Sequence, residues 1–528
     1  MEFSSAQIAT TAACIALTGL LAHVARLLER KLRIARGLAP LSGPKGVLLL
    51  GLLPQFAENK DRVYDFLEGL LKQHGGRMKM PWHIFMDGAI YQVCYTFFKS
   101  IPQVTDPEDV KHVLQANFDN YIRPPGFIAV FRELFADSLF ALNHAHCPDN
   151  GAKWRLQRKI AAKVFTTNNF RLFMEQAFGK YAEEVVHLVG HEQGGKCDMQ
   201  RVAKLFTLQS IFDITMGVPL AQIADVDAFG ESIEFANEQG AARLFVKQHY
   251  AWFGWCMPSE QRLKREVAAI HKVTGAIMKQ RMLESDEQLA QRSDILSLFL
   301  KKQRELSPEE ASLFDMDALQ KLLHTFLFGG RDTTASCITY AFYALCRTPK
   351  AHCKLVDEVK AYATKTSSSS LSYEGIKSLK YLDAVVHETL RLYPPAPFVI
   401  KRAAENDHLP DGTFVPAGCD VAFSAWYLGR NSSMWAPDPL VFRPERWLEM
   451  ETRPTPYEFP VFQGGPRICP GMNMAVLEAK IFIAVMLRSF ESVEIQDGEQ
   501  QERGYVLKST LTMGDGLPLQ LIPRLASA

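Results

Sequence analysis

A chain of 528 residues, 47% hydrophobic and 22% charged, has a globular composition and enough length to bury a large core, with room for two or three domains. Its net charge of +1, with no block of Lys and Arg interleaved with aromatics, excludes a global attraction to nucleic acid. Ten cysteines without one Cys-x-x-Cys pair argue against a zinc ribbon, a thioredoxin-like site or a dense disulfide framework, and favour a reducing compartment.

Residues 6–25 carry no Lys, Arg, Asp or Glu, and as a helix they are long enough to cross about 30 Å of hydrocarbon. Only Glu2 precedes the run, whereas Arg26, Arg30, Lys31, Arg33 and Arg36 follow it. That is the reverse of a secretory leader. It predicts an uncleaved signal anchor over residues 1–36, with the N-terminus outside and residues 37–528 in the cytosol. Pro40, Gly43, Pro44, Gly46 and Gly51, with Leu48, Leu49 and Leu50 between them, then make a semi-rigid joint.

From about Tyr64 the apolar spacing is mostly helical. Asn117-Phe118-Asp119-Asn120-Tyr121 leads into a loop with Pro124, Pro125 and Gly126. Trp154 and Arg158, four apart, share one face of a basic helix that continues through Lys159. Leu244, Phe245, Tyr250, Trp252, Phe253, Trp255 and Met257 form an aromatic cluster before Pro258, and most such clusters are core.

Met316 to Arg347 reads as one long helix interrupted by Gly329-Gly330-Arg331-Asp332-Thr333-Thr334. Two mid-helix glycines cost about 1 kcal/mol each relative to alanine. They suit either a close helix crossing or a flat ligand lying against the helix, and a threonine that bonds back into the ladder can open a local groove. Residues 364–370 are a polar surface loop. His387-Glu388-Thr389-Leu390-Arg391 nearly spells a zinc site, but Arg391 stands where the second histidine is needed. Glu388 and Arg391 can instead pair on one helix face, and Arg446, in Phe442-Arg443-Pro444-Glu445-Arg446-Trp447, offers a second arginine.

A proline-rich stretch then reaches Phe-Gln-Gly-Gly-Pro-Arg-Ile-Cys-Pro-Gly at 462–471, with Cys469 before an apolar helix. A helix N-terminus and a nearby cation both favour thiolate over thiol. The tail, 505–522, alternates weakly around Gly514-Asp515-Gly516 and predicts a hairpin.

Phe462, Gly465, Arg467, Cys469 and Gly471 resemble the cysteine-loop signature of the cytochrome P-450 family, and Trp-x-x-x-Arg, Gly-Gly-x-Asp-Thr and Glu-x-x-Arg precede them in the family's order. The resemblance implies a mainly α haem-thiolate fold with a small β-rich subdomain, and haem b with Cys469 as axial ligand to its iron. It assigns Arg467, Phe462, Gly465, Gly471, Trp154, Arg158 and Lys401 to cofactor binding. Asp332 would feed protons, and Thr333 would position water over the distal face. Glu388, Arg391 and Arg446 would brace the loop's scaffold. The implied reaction is monooxygenation, in which one atom of O2 enters a substrate C–H bond and the other leaves as water. No Gly-x-Gly-x-x-Gly unit is present to bind a nicotinamide, so electrons from NADPH must come through a separate cytochrome P-450 reductase. Arg155, Arg158, Lys159 and Lys163 offer a docking face for it. The implied location is the endoplasmic reticulum membrane.

Within the family the chain resembles the fatty-acid ω-hydroxylase branch of plants and fungi, with Phe127, Ile128, Phe326, Phe328, Pro397, Phe398, Val399 and Leu511 as the candidate apolar pocket. The rivals are a haem-thiolate isomerase or dehydratase acting on a lipid peroxide, a sterol or terpenoid hydroxylase, and a haem-binding sensor or electron carrier. The chain departs from the family pattern by an apparent insertion at 143–151 and by Gly329 where alanine is usual. Pro470 brings no N–H to the sulfur, which predicts a more electron-rich thiolate and a lower reduction potential.

Overall fold

The long helix Met316–Arg347 runs through the core as one uninterrupted helix of 32 residues. Its start is fixed by Asp315, whose side chain accepts from Ala318 N–H, and Asp317 and Arg347 sit at the ends their charges suit. The predicted interruption does not occur. Leu319, Leu322, Leu323 and Ile338 are fully buried and contribute about 1.5–3 kcal/mol each, more than two glycines cost.

In this computed structural model the described residues are 5–47, 52–79, 102–104, 106–173, 177–192, 194–245, 254–366, 372–496, 502–506 and 508–524. Leu48, Leu49, Leu50 and Gly51 of the joint, Tyr250, Trp252 and Phe253 of the aromatic cluster, and most of the polar patch, from 367 on, lie outside them. Helix Pro349–Thr366 takes in the start of that patch. Trp255 is 74% exposed, so the core expected of its cluster does not include it.

The long helix packs most extensively on helix Met199–Met216, and also on Lys380–Leu392 and Met472–Ser489. At the first crossing, a Cβ on Gly330 would lie 2.8 Å from Ile211 Cδ1, whereas one on Gly329 would meet nothing within 4 Å. The two glycines therefore do different work: Gly330 permits the helix crossing and Gly329 fronts open space. Glu478, on Met472–Ser489, accepts a hydrogen bond from Ser210. Burial pushes its carboxyl up to about 8, so it joins these helices uncharged.

A five-stranded sheet lies to one side, in the order Met78–Lys79, Pro102–Val104, Asp420–Ser424, Phe398–Ala403, Tyr121–Ile122. The second and third pair in parallel and the other neighbours antiparallel. Arg402 forms a bidentate pair with Asp420, at 2.5 and 2.9 Å. Alternation along the strand turns Lys401 to the opposite face. The tail differs from the expected hairpin. Tyr505–Val506 pairs with Thr512–Met513, while Pro518–Pro523 joins Lys196–Asp198 and Phe490–Ile495. Gly514 to Gly516 thus leads between two sheets, and the contact to the long helix is made ahead of it, where Leu511 O, just before Thr512–Met513, accepts from Ser336 Oγ–H at 2.7 Å.

Residues 6–25 fall within the first helix, Ser5–Gly37. No helix among the described residues is long and apolar enough to cross a membrane; Thr10, Thr11, Thr18 and His23 dilute this one. Its basic end docks on the body. Arg30 donates to Gly418 O at 3.1 Å, Leu38 is fully buried, and Gly37 leaves no room for a side chain against Pro416.

Candidate active site

The cysteine loop is two 3₁₀ turns, Pro460–Phe462 and Gly465–Arg467, closed by Cys469 N–H to Phe462 O at 2.8 Å. Gly465 has φ +60°, and a Cβ there would run into Leu114 O; no other residue fits. Cys469 is exposed, yet burial within the protein is the main influence on its thiol, pushing it up. The sulfur therefore opens onto an internal space. Gly471 N–H and Arg158 pull its titration back down without reversing it. The polypeptide alone does not make the thiolate, because the following helix starts only at Met472; coordination to a metal would deprotonate it outright.

Pro470 contributes no N–H, so Gly471 supplies a donor in its place. A Pro470→Leu variant, with one N–H more at the sulfur, is expected to raise the reduction potential by about 40 mV, the one-electron equivalent of roughly 1 kcal/mol. Spectroelectrochemical titration reads this directly, and an unshifted midpoint would refute it.

Four cations converge at the edge of this space. Lys401 and Arg467 are 2% and 8% exposed, and Arg123 and Arg158 join them. Desolvation pushes all four down. Arg123 and Arg467 add to the shift at Lys401, and Arg123 and Arg158 to that at Arg467. Among the described residues none of the four pairs with a carboxylate. Buried like charges without a counter-ion are costly, so the cluster calls for an anionic group of more than one charge. Arg467 also lies over Trp154, 4.7 Å from its ring centroid, and Arg158 donates to Ile468 O in the cysteine loop.

On the long helix, Gly329 is exposed between the buried Phe328 and Arg331, and a Cβ there would meet nothing within 4 Å. Thr333 Oγ–H donates back to Gly329 O at 2.6 Å. Asp332 is buried, takes 3.0 Å from Arg331 Nη1 and a hydrogen bond from Asn237, and burial pushes its carboxyl up.

Glu388, fully buried, receives Arg391 at 2.7 and 2.8 Å, Arg446 at 3.1 Å, Trp447 Nε1–H at 2.9 Å and Arg443 N–H at 2.8 Å. Arg391 also donates to Gly429 O and Pro439 O, and Arg446 to Trp435 O, Pro437 O and Asp438 O. These carbonyls belong to the segment that leads to the cysteine loop.

A thiol facing an internal space, a glycine without a neighbour on a buried helix, and uncompensated cations at the edge fit a flat, dianionic, metal-bearing group such as haem. The cytochrome P450 family model matches residues 42–513. The chain belongs to the cytochrome P450 family. It is similar to cytochrome P450 704C1 of Pinus taeda, 30% identical over 470 residues covering 83% of this chain and 87% of that one. Cytochrome P450 94A1 of Vicia sativa is 26% identical over 499 residues, 91% and 90% of the two chains, and cytochrome P450 CYP94D108 of Paris polyphylla is 28% identical over 435 residues, 79% and 83%. This P450 is accordingly a monooxygenase, and membership implies haem, O2 and electrons from a redox partner.

The eight pocket candidates do not gather in one place. Phe127 joins Phe131, Phe135 and Phe140 in an aromatic wall that Phe328 meets through Phe135, with centroids 5.3–6.1 Å apart. Ile128 packs partly buried against the same core. Phe326 instead packs on Phe165 and Phe299, 5.1 and 5.9 Å away, in the core. Phe398 packs with the main core and Val399 with the separate core of the sheet, as alternation along a strand requires. Pro397 is buried, with its carbonyl accepting from Ser424 Oγ at 3.2 Å, and Leu511 is buried, its N–H donating to Pro395 O at 2.9 Å.

Two residues escaped the sequence reading. Arg123 lies one residue before the noted prolines, and His144 lies in the apparent insertion. The surrounding prolines and polar residues gave neither a periodic pattern to stand out from.

Proposed function

We propose that this P450 hydroxylates a C–H bond of a fatty acid or related lipid, using haem b held through Cys469 and electrons passed from NADPH by a separate cytochrome P-450 reductase, at the endoplasmic reticulum membrane. The observation that carries the haem site is the cation cluster Arg123, Arg158, Lys401 and Arg467, which has no carboxylate partner among the described residues and would attract the two negative charges of a pair of propionates. Phe462, Gly465 and Gly471 shape the loop that carries Cys469, and Trp154 supports Arg467. When bound, a haem with a thiolate ligand supplies the activation of O2.

The chain's own residues then handle protons and water. Thr333, with its proton committed to Gly329 O, has lone pairs free to accept from water on the open side. Asp332 sits at the inner end of a polar chain. Arg331 pairs with Glu234 at 2.7 Å, Glu234 with Lys204 at 2.7 Å, and Asn237, which donates to Asp332, accepts from Ser509 Oγ at 2.7 Å. Glu234 is 31% exposed, which gives this chain an outlet to solvent. A carboxyl pushed up by burial holds a proton closer to neutral pH and can pass it inward. The aromatic wall of Phe127, Phe131, Phe135, Phe140 and Phe328 suits an apolar substrate and keeps bulk water out.

Asp332→Asn is expected to lower kcat by about 10²-fold while leaving substrate-induced spectral binding in place, so that NADPH is consumed with little product. Equal product yield per NADPH in the two proteins would remove Asp332 from proton delivery. The reading as a whole is tested by turnover with reductase and NADPH on a panel of fatty acids and sterols. Hydroxylated fatty acid that needs both reductase and O2 supports it. Rearrangement of a lipid hydroperoxide without either would make the protein an isomerase, and product from sterols alone would move the substrate class.

A further inference from the structure

The segment 139–144, ending at the apparent insertion, wraps around two of the four cations. Arg467 donates from Nη2 to Leu142 O at 2.6 Å and from Nη1 to Leu139 O at 3.4 Å. Its Nε and Nη2 also lie 3.3 and 3.2 Å from His144 Nδ1. His144 Nε2 lies 2.9 Å from Phe118 O. A carbonyl can only accept, so Nε2 carries the proton and Nδ1 presents its lone pair to the guanidinium. The ring is 3% exposed and stacked on Phe118, with centroids 3.7 Å apart and planes 19° apart. Burial and Arg467 hold the imidazole down to about 3, so it stays neutral. Asp119 Oδ1, 3.9 Å from Nε2, is beyond hydrogen-bond reach. Next to His144, Asn143 Oδ1 accepts from Arg123 N–H at 2.8 Å, and its Nδ2 donates to Arg123 O at 3.4 Å.

All the acceptors around Arg467 are therefore neutral. A carboxylate in their place would orient the guanidinium equally well but would cancel its charge; two carbonyls and an imidazole orient it and leave that charge for the ligand.

We propose that His144 is a positioning residue of this P450, a neutral clamp that fixes the Arg467 guanidinium toward an anionic edge of the haem and so sets how firmly the haem is held. The proposal rests on the haem reading above, and the test keeps the two apart: a protein that takes up no haem refutes that reading, whereas the clamp is judged on holoenzymes that do.

The variants are His144→Leu, which fills the site without an acceptor, and His144→Gln, whose amide can replace both hydrogen bonds. Haem loss is followed by transfer to excess apomyoglobin, beside the reduction potential and the thermal melting of each holoenzyme. The Leu variant is expected to lose haem roughly tenfold faster, as for a lost hydrogen bond to a charged group. Its potential should fall, because a displaced cation no longer favours the reduced state, and the Gln variant should stay within about twofold of the parent rate. Equal rates and potentials in the parent and the Leu variant would overturn the proposal. So would equal losses in Gln and Leu, which would assign the effect to the stacked ring rather than to its acceptor nitrogen.

Discussion

A Cys469→Ala variant is expected to fold, to lose the red-shifted ferrous–CO band of a thiolate-ligated haem, and to lose at least about 10³-fold in turnover, equivalent to about 4 kcal/mol of transition-state stabilisation. Folding should survive because the loop does not lean on the sulfur. Its closure is a backbone bond, Cys469 N–H to Phe462 O, its tight turn depends on Gly465 against Leu114 O, and its flank is held by Arg467. Alanine keeps all three. On the proposed reading, what it removes is a soft ligand for the haem iron, and with it the electron donation that favours O–O cleavage. Circular dichroism, the reduced CO-difference spectrum and product formation with reductase separate these effects. Undiminished product formation by the alanine variant would contradict the assignment of Cys469.

The second large effect is expected at Glu388. In Glu388→Ala, two arginines, an indole N–H and a backbone N–H lose their shared acceptor inside the protein. Breaking a buried pair by removing one partner costs about 3–5 kcal/mol, a large part of the roughly 5–15 kcal/mol that holds a folded protein. Denaturant unfolding should show a loss of that size. Haem content should fall with it, because Arg391 and Arg446 would no longer hold the carbonyls of Gly429, Trp435, Pro437, Asp438 and Pro439. Glu388→Gln, which keeps an acceptor but not the charge, should fall between. An alanine variant within about 0.5 kcal/mol of the parent, the range of an unremarkable surface change, would mean that the triad is not structural.

The features legible in sequence were those whose parts lie close together in the chain. Glu388 and Arg391 are one helical turn apart, and the cysteine loop is contiguous, so spacing alone suggests their geometry. The cation cluster was legible only in part. Arg158 and Arg467 sit in recognisable patterns, but Arg123 comes from a proline loop and reaches its neighbours only through the tertiary fold. His144 was hidden for the same reason, its partners Phe118 and Arg467 being 26 and 323 residues away. Gly329 and Gly330 were indistinguishable as letters, and only the crossing at Ile211 tells them apart. The tail failed differently. Weak alternation marks strands but not partners: two of its three strand segments pair with each other, and the third joins another sheet.

The docking of the first helix has a practical consequence for how the chain is shortened. Leu38 shares a small core with Val113, Leu409, Val415 and Phe423, and Arg30 is tied to Gly418. A truncation intended only to shed the apolar leading turns should begin before Arg30. One that begins after Leu38 would leave an apolar hole beneath the sheet, of the kind that costs about 2–5 kcal/mol for a buried leucine. For the same reason, anything bound to the leading turns would be coupled to the body through the packing of Leu38 and the Arg30 hydrogen bond.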